Sequence, residues 1–308
     1  MTQSLGLSLW LLRIPEVKAT IGLTLIDLSM ALFMQPFGVL IGFFIAPQVI
    51  QKIGNKNSCL YFGSIFVGTF ILIPIAKTFF ILATVLFISG IVCAAAEVSM
   101  NAFAAQMEKD LKIRMMSRFH AFWSIGALLS GGIVTVMSAL KISFLVQQCL
   151  LIPIVSILVI IAAKSLPNNS VTNKEKKLEI SSRFIPQLSL IILCITPFGA
   201  LLLEGALMEW TAVFKGDYQN LPEVTVGIVF CSFTVTMTLF RFYGDYIIDK
   251  FGLKKTIKLS IYASFFGMLV YAQNSTPALS IISAGLVGAG IANIYPIAMT
   301  LAASLSEN

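Results

Sequence analysis

Apolar runs of roughly 20 residues recur along almost the whole chain, and this pattern restricts the fold more than any single motif does. An α-helix rises about 1.5 Å per residue, so about 20 apolar residues cross the roughly 30 Å of hydrocarbon in a bilayer. Complete spans are expected over residues 25–50, 60–75, 79–106, 116–140, 145–163, 185–214, 224–243, 256–271 and 278–301. Residues 1–14 are apolar as well, but a run of that length rises only about 21 Å. It reads as the outer half of a first span whose beginning is missing, with Pro15 ending the helix.

The composition agrees with this reading. Only 11% of the residues are charged and 57% are hydrophobic, whereas an ordinary soluble domain is about a quarter charged. Too few polar groups are present to coat a soluble surface, so the expected fold class is all-α, a polytopic membrane protein. The net charge of +7 does not then call for a nucleic-acid partner, because the position of the basic residues matters more than their sum. Cys59, Cys93, Cys149, Cys194 and Cys231 are scattered through apolar segments with no disulfide or metal-ligand spacing. Neither a cofactor nor a metal is read from the sequence.

With the stub counted as span one, the connections alternate between two sides. One side carries Lys52, Lys56, Lys109, Lys112, Arg114, Lys164, Lys174, Lys176, Lys177, Arg183, Lys250, Lys254, Lys255 and Lys258. The other has only Arg13, Lys18, Lys77, Lys141 and Lys215, so the first side is the cytoplasmic one. The one long connection, "KSLPNNSVTNKEKKLEISSRF", is polar, charged and proline-containing, as a linker between two halves would be. It divides the chain into residues 1–164, a linker at 165–184, and residues 185–308. Within these halves "QKIGNKNS" after span two matches "DKFGLKKT" after span eight: both are basic, glycine-containing turns at the same place. Parallel repeats of this kind build secondary transporters.

The second of these turns, with Asp249, Lys250, Gly252 and Lys254, resembles the loop signature of the major facilitator superfamily; in the first, Gln51 replaces the acid and Pro47 a glycine. "SLWLLRIPEVKATIGL", "EVSMNAFAAQME", "MMSRFHAFWSIGALLSG", "LLLEGALMEWTAVF" and "RFYGDYIIDKFG" strengthen the resemblance, which points to a bacterial branch distantly similar to the fucose permease group. The resemblance implies two six-helix halves, here about nine complete spans plus a partial first span, with spans eleven and twelve missing. It implies an inner-membrane, multi-pass protein with the long central loop cytoplasmic, and a small-molecule substrate. Spans one, four, seven and ten would line the passage.

Several residues stand out against this frame. An acid near mid-bilayer costs about 2.5–3.5 kcal/mol on insertion scales, yet Glu97 sits inside span four and Glu204 inside span seven. Glu97 shares a helix face with Gly90, Ala94 and Asn101. Glu97 and Asn101 read as cavity residues; the alternatives are a structural acid and a small-residue packing seam. Glu97 and Glu204 are the groups through which protons would couple to transport. His120, the only histidine, has Ser124 one turn on but no second base or ligand, so a hydrogen bond to span four or a substrate contact is expected rather than catalysis. Arg118 would snorkel to headgroups or pair with an acid. Arg241 and Asp245, one turn apart ahead of Asp249, Lys250 and Gly252, read either as a gating latch or as a surface i,i+4 pair. Asn293, which shares a face of span ten with Gly285 and Ala289 near the helix break at Pro296, reads as that span's candidate for substrate binding or coupling. Arg13 would stand at the mouth of the passage.

The functional reading is a secondary active transporter, not an enzyme, that moves a small solute by alternating access; no P-loop supports ATP drive. The alternative is a truncated, non-transporting membrane protein or a fragment that needs a partner chain.

Overall fold

A computed structural model describes residues 1–111, 116–166 and 188–298. Most of the expected linker, the end of span ten and the basic residues Lys112 and Arg114 lie outside the described residues. The described chain is helical with no strand: α1 (Thr2–Ser8), α2 (Ile14–Ile21), α3 (Leu25–Ile53), α4 (Asn55–Thr69), α5 (Phe79–Leu111), α6 (Met116–Ala139), α7 (Phe144–Lys164), α8 (Leu188–Thr211), α9 (Glu223–Phe242), α10 (Gly244–Phe251), α11 (Leu253–Gln273) and α12 (Pro277–Ile291). Among the described residues seven segments are long and apolar enough to cross a membrane: Leu25–Ile53, Asn55–Ile75, Phe79–Glu108, Arg118–Ala139, Phe144–Lys164, Glu223–Phe242 and Pro277–Ala298.

Local chemistry explains where these helices begin and end. Thr24 and Asp27 form a reciprocal capping box that opens α3. Pro15 stands in the first turn of α2, so it opens a helix where the sequence suggests an ending. The first turn needs no intrahelical N–H, which makes proline an acceptable residue there. Gly54, between α3 and α4, has φ 81° and ψ 157°, and Gly252, between α10 and α11, has φ 77° and ψ 151°. That backbone region is open essentially to glycine alone. The two turns matched in sequence thus share one conformation.

The chain divides into two compact units: Met1–Ile113 with Ile133–Thr172, and Arg114–Gly132 with Asn173–Asn308. In the first, α3 lies along α5, and α4 joins both α5 and α7. Glycines allow the close approach. A β-carbon at Gly90 of α5 would collide with the Gln35 carbonyl of α3, and one at Gly38 with the Phe87 carbonyl of α5. Ala94 lies against Gly42 in the same seam. Lipid offers helices no hydrophobic drive to associate, so small residues that bring backbones together supply the contact. In the second unit α12 packs on α9 and α11 by the same device, with Gly288 against the Phe233 carbonyl and Gly290 against Ser264.

The first unit also buries polar side chains. α1 packs on α4 and α7, and it buries Gln3, Ser4 and Ser8. Trp10 and Gln148 are fully buried, as is Ser58 on α4. A buried donor or acceptor left unbonded costs about 1–3 kcal/mol, against about 5–15 kcal/mol of net stability for a whole domain. Such groups therefore need partners.

Candidate functional site

Two imperfect helices in the second unit meet and correct each other. Proline at 296 has no N–H, so the carbonyl of Ala292 loses its helical donor. Arg241 of α9 donates to that oxygen through Nε at 3.2 Å. In return Asn293 donates through Nδ2 to the Phe240 carbonyl at 3.0 Å, beside the break between α9 and α10. Gly244, the first residue of α10, permits this approach, because a β-carbon there would collide with Asn293 Oδ1.

The guanidinium of Arg241 is 3% exposed and has two further partners. Nη1 donates to Ser124 Oγ of α6 at 2.6 Å, and Nη2 to Glu204 Oε2 of α8 at 2.9 Å. One cation thereby joins Ser124 of α6, Glu204 of α8, its own α9 and Ala292 at the end of α12, all residues of the second unit. The Glu204 side chain is 14% exposed, so both charges are largely removed from solvent. A pair like this need not add net stability, but removing one partner strands the other charge and costs about 3–5 kcal/mol.

Around this hub the structure places several residues singled out in the sequence. The His120 ring stands edge-on to the Tyr295 ring at 5.1 Å. Asp245 is half-buried and contributes to an open cavity of about 450 Å³ lined by Arg118, Phe242, Tyr243, Asp245 and Tyr246. Arg241 therefore pairs with Glu204 and not with its neighbour Asp245. Asp249 and Lys250 are exposed at the end of α10, where the Lys250 ammonium lies 5.6 Å from the rings of Tyr246 and Phe251. In the first unit Glu97 and Asn101 are half-buried on α5, while Gly90 and Ala94 of the same face serve the α3 seam.

Two more cationic hubs hold helix ends. Arg13 donates to Gln147 Oε1 at 3.0 Å, to Glu16 Oε2 at 3.0 Å and to the Ile142 carbonyl at 2.8 Å. Gln147 passes a further bond to the Leu9 carbonyl at 2.7 Å, which ties α7 to the turn after α1. Lys215 lies in a π-helical turn, Ala212–Tyr218, that follows α8, and it is fully buried. Its three N–H donors meet Gln219 Oε1 at 2.8 Å, the Tyr271 carbonyl at 2.6 Å and the Asn274 carbonyl at 2.7 Å. The ammonium also stands 4.2 Å from the centre of the Tyr271 ring, and a cation at the C-terminal end of α11 is well placed in the field of its carbonyls. Sequence reasoning missed this clasp, since a lysine at a span end looks like an ordinary solvated charge.

Together these features define a multi-pass helical membrane protein built of two units, with matching glycine turns and charges buried inside its helix bundle. A family model for the Major Facilitator Superfamily matches residues 2–308, and the chain belongs to that superfamily. It is 24% identical over 302 residues to the uncharacterized transporter y4wD of Sinorhizobium fredii, covering 97% of this chain and 78% of that protein. It is 26% identical over 298 residues to an uncharacterized MFS-type transporter of Yersinia pestis, covering 97% of this chain and 77% of the relative. Among solved structures, the nucleoside transporter NupG is similar with a TM-score of 0.68 at 15% identity, over 96% of this chain and 78% of NupG. At that identity the likeness speaks for the fold alone.

Proposed function

We propose that this protein is a secondary active transporter of the inner membrane that moves a small solute by alternating access, with protons as the coupling ion and the long central loop in the cytoplasm. Membership of the superfamily and relatives that are named as transporters support the transport reading. They do not favour a non-transporting role. The observation that carries the mechanism is the buried pair of Arg241 and Glu204. Loss of the Glu204 charge would weaken the one ionic contact of Arg241, which also holds Ser124 and the Ala292 carbonyl, and so loosen four helices at once. Arg241 is thus the latch. Asp245, Asp249 and Lys250 lie on the α10 segment that follows it, with Gly252 at its end, and move with it. Glu97 is a second coupling group, Asn101 and His120 contact solute, and Asn293 holds the α9 break in place.

The solute is small; nucleosides, which NupG carries by its description, belong in a test panel beside sugars, organic acids and amino acids. Uptake into proteoliposomes is expected for at least one class, at a rate that changes with an imposed pH gradient. Glu204→Gln should abolish the pH response. Uptake indifferent to the gradient in the unaltered protein, or a response retained in both Glu97→Gln and Glu204→Gln, removes proton coupling.

A further inference from the structure

Ten buried side-chain atoms have no hydrogen-bond partner among the described residues, and eight of them belong to the first unit. They are Gln3 Oε1, Ser4 Oγ and Ser8 Oγ on α1, Trp10 Nε1 just beyond it, Ser58 Oγ and Ser64 Oγ on α4, and both amide atoms of Gln148 on α7. These three helices pack on one another. The Gln3 amide lies between two of them: a β-carbon at Gly63 of α4 would stand 2.5 Å from Gln3 Nε2 and 3.2 Å from Val159 Cγ1 of α7. Gln3 is 5% exposed, and Ser4, Ser8, Trp10, Ser58 and Gln148 are fully buried. At the cost per unbonded atom given above, eight such atoms would offset most or all of what holds a domain together.

The chemistry of the eight atoms selects the partner. Trp10 Nε1 and Gln148 Nε2 are N–H donors that a cation cannot meet, and none of the eight carries a charge to pair with an anion. Both donors and acceptors are present, so the partner must donate and accept. Water is the smallest molecule that does both. We infer that the seam between α1, α4 and α7 is a hydration site that holds ordered waters along its length within the first unit. A buried water typically makes about three hydrogen bonds, and Ser58 and Ser64 stand about 9 Å apart along α4, so separate waters serve different stretches of the seam. This inference stands apart from the transport reading, since it concerns neither Arg241 nor the proposed solute contacts.

Water-edited solid-state NMR on the full chain, isotope-labelled in lipid bilayers, tests it directly. Polarisation from water is expected to reach the side-chain amides of Gln3 and Gln148 and the β-carbons of Ser4, Ser8 and Ser58 as early as it reaches exposed Lys250. Build-up as late as that of the fully buried Phe66 would overturn the site. A second arm uses Ser58→Ala and Gln148→Leu. Hydrated atoms predict a midpoint lowered by about 2–4 °C per variant for a unit of this size. A midpoint unchanged or raised by both apolar replacements contradicts hydration, and if a variant fails to fold the NMR result on the unaltered chain decides alone.

Discussion

Around Arg241 the second unit brings a carboxylate, a hydroxyl and a backbone carbonyl to one guanidinium, whereas the seam of α1, α4 and α7 in the first unit buries eight neutral atoms that no group among the described residues meets. The difference follows from charge. A buried cation needs several protein acceptors at fixed distance, charged as Glu204 is or neutral as around Lys215, because water in small numbers does not compensate its lost hydration. A buried hydroxyl or amide can be satisfied by a single mobile molecule. The hub is therefore expected to be rigid and intolerant of substitution, and the seam to yield gradually.

The largest effect that would sharpen this contrast is Arg241→Leu. It leaves the Glu204 carboxylate and the Ala292 carbonyl without their donor, and should cost about 3–5 kcal/mol, read as a fall in the thermal midpoint of the purified protein; a loss no greater than that of Ser58→Ala would erase the distinction. Next comes Gly90→Ala, whose methyl would strike the backbone of α3. It should cost about 1–3 kcal/mol, while Gly68→Ala, with nothing within 4 Å of the added carbon, should lose nothing in the same assay. Lys215→Met keeps the apolar stem but strips a donor from two carbonyls at the end of α11, for about 1–3 kcal/mol. If the midpoint of Lys215→Met matches the parent, the clasp is ornamental. Smallest is Thr24→Ala, which removes the exposed cap at the start of α3 and should cost about 0.5–2 kcal/mol; it calibrates the assay.

The helices, their approximate ends and the two glycine turns were legible in the sequence, because a 20-residue apolar run and a glycine between basic residues each have few structural solutions. The partner of Arg241 was not. Sequence spacing offers Asp245, four residues on, while Glu204 lies 37 residues away on another helix, and no periodicity in one helix announces a contact made across a bundle. Gly90 and Ala94 were visible as a small face, but a face that packs and one that lines a passage look alike until the neighbouring helix is in place. In the sequence Lys215 is one of the few basic residues on the non-cytoplasmic side, and nothing there signals its burial, which depends on where the carbonyls of α11 fall. Asn293 was marked for its position near Pro296; its bond to the Phe240 carbonyl depends on a second break, in α9, that a tyrosine-glycine pair signals only weakly.

The account depends most on Arg241 and Glu204 acting as one buried unit, and a double-mutant cycle of Arg241→Gln and Glu204→Gln, followed by thermal unfolding in bilayers, measures that most directly. The expected result is a coupling near the upper end of the about 0.5–3 kcal/mol seen for contacting residues, with the double variant no less stable than either single one. Losses that simply add would contradict it.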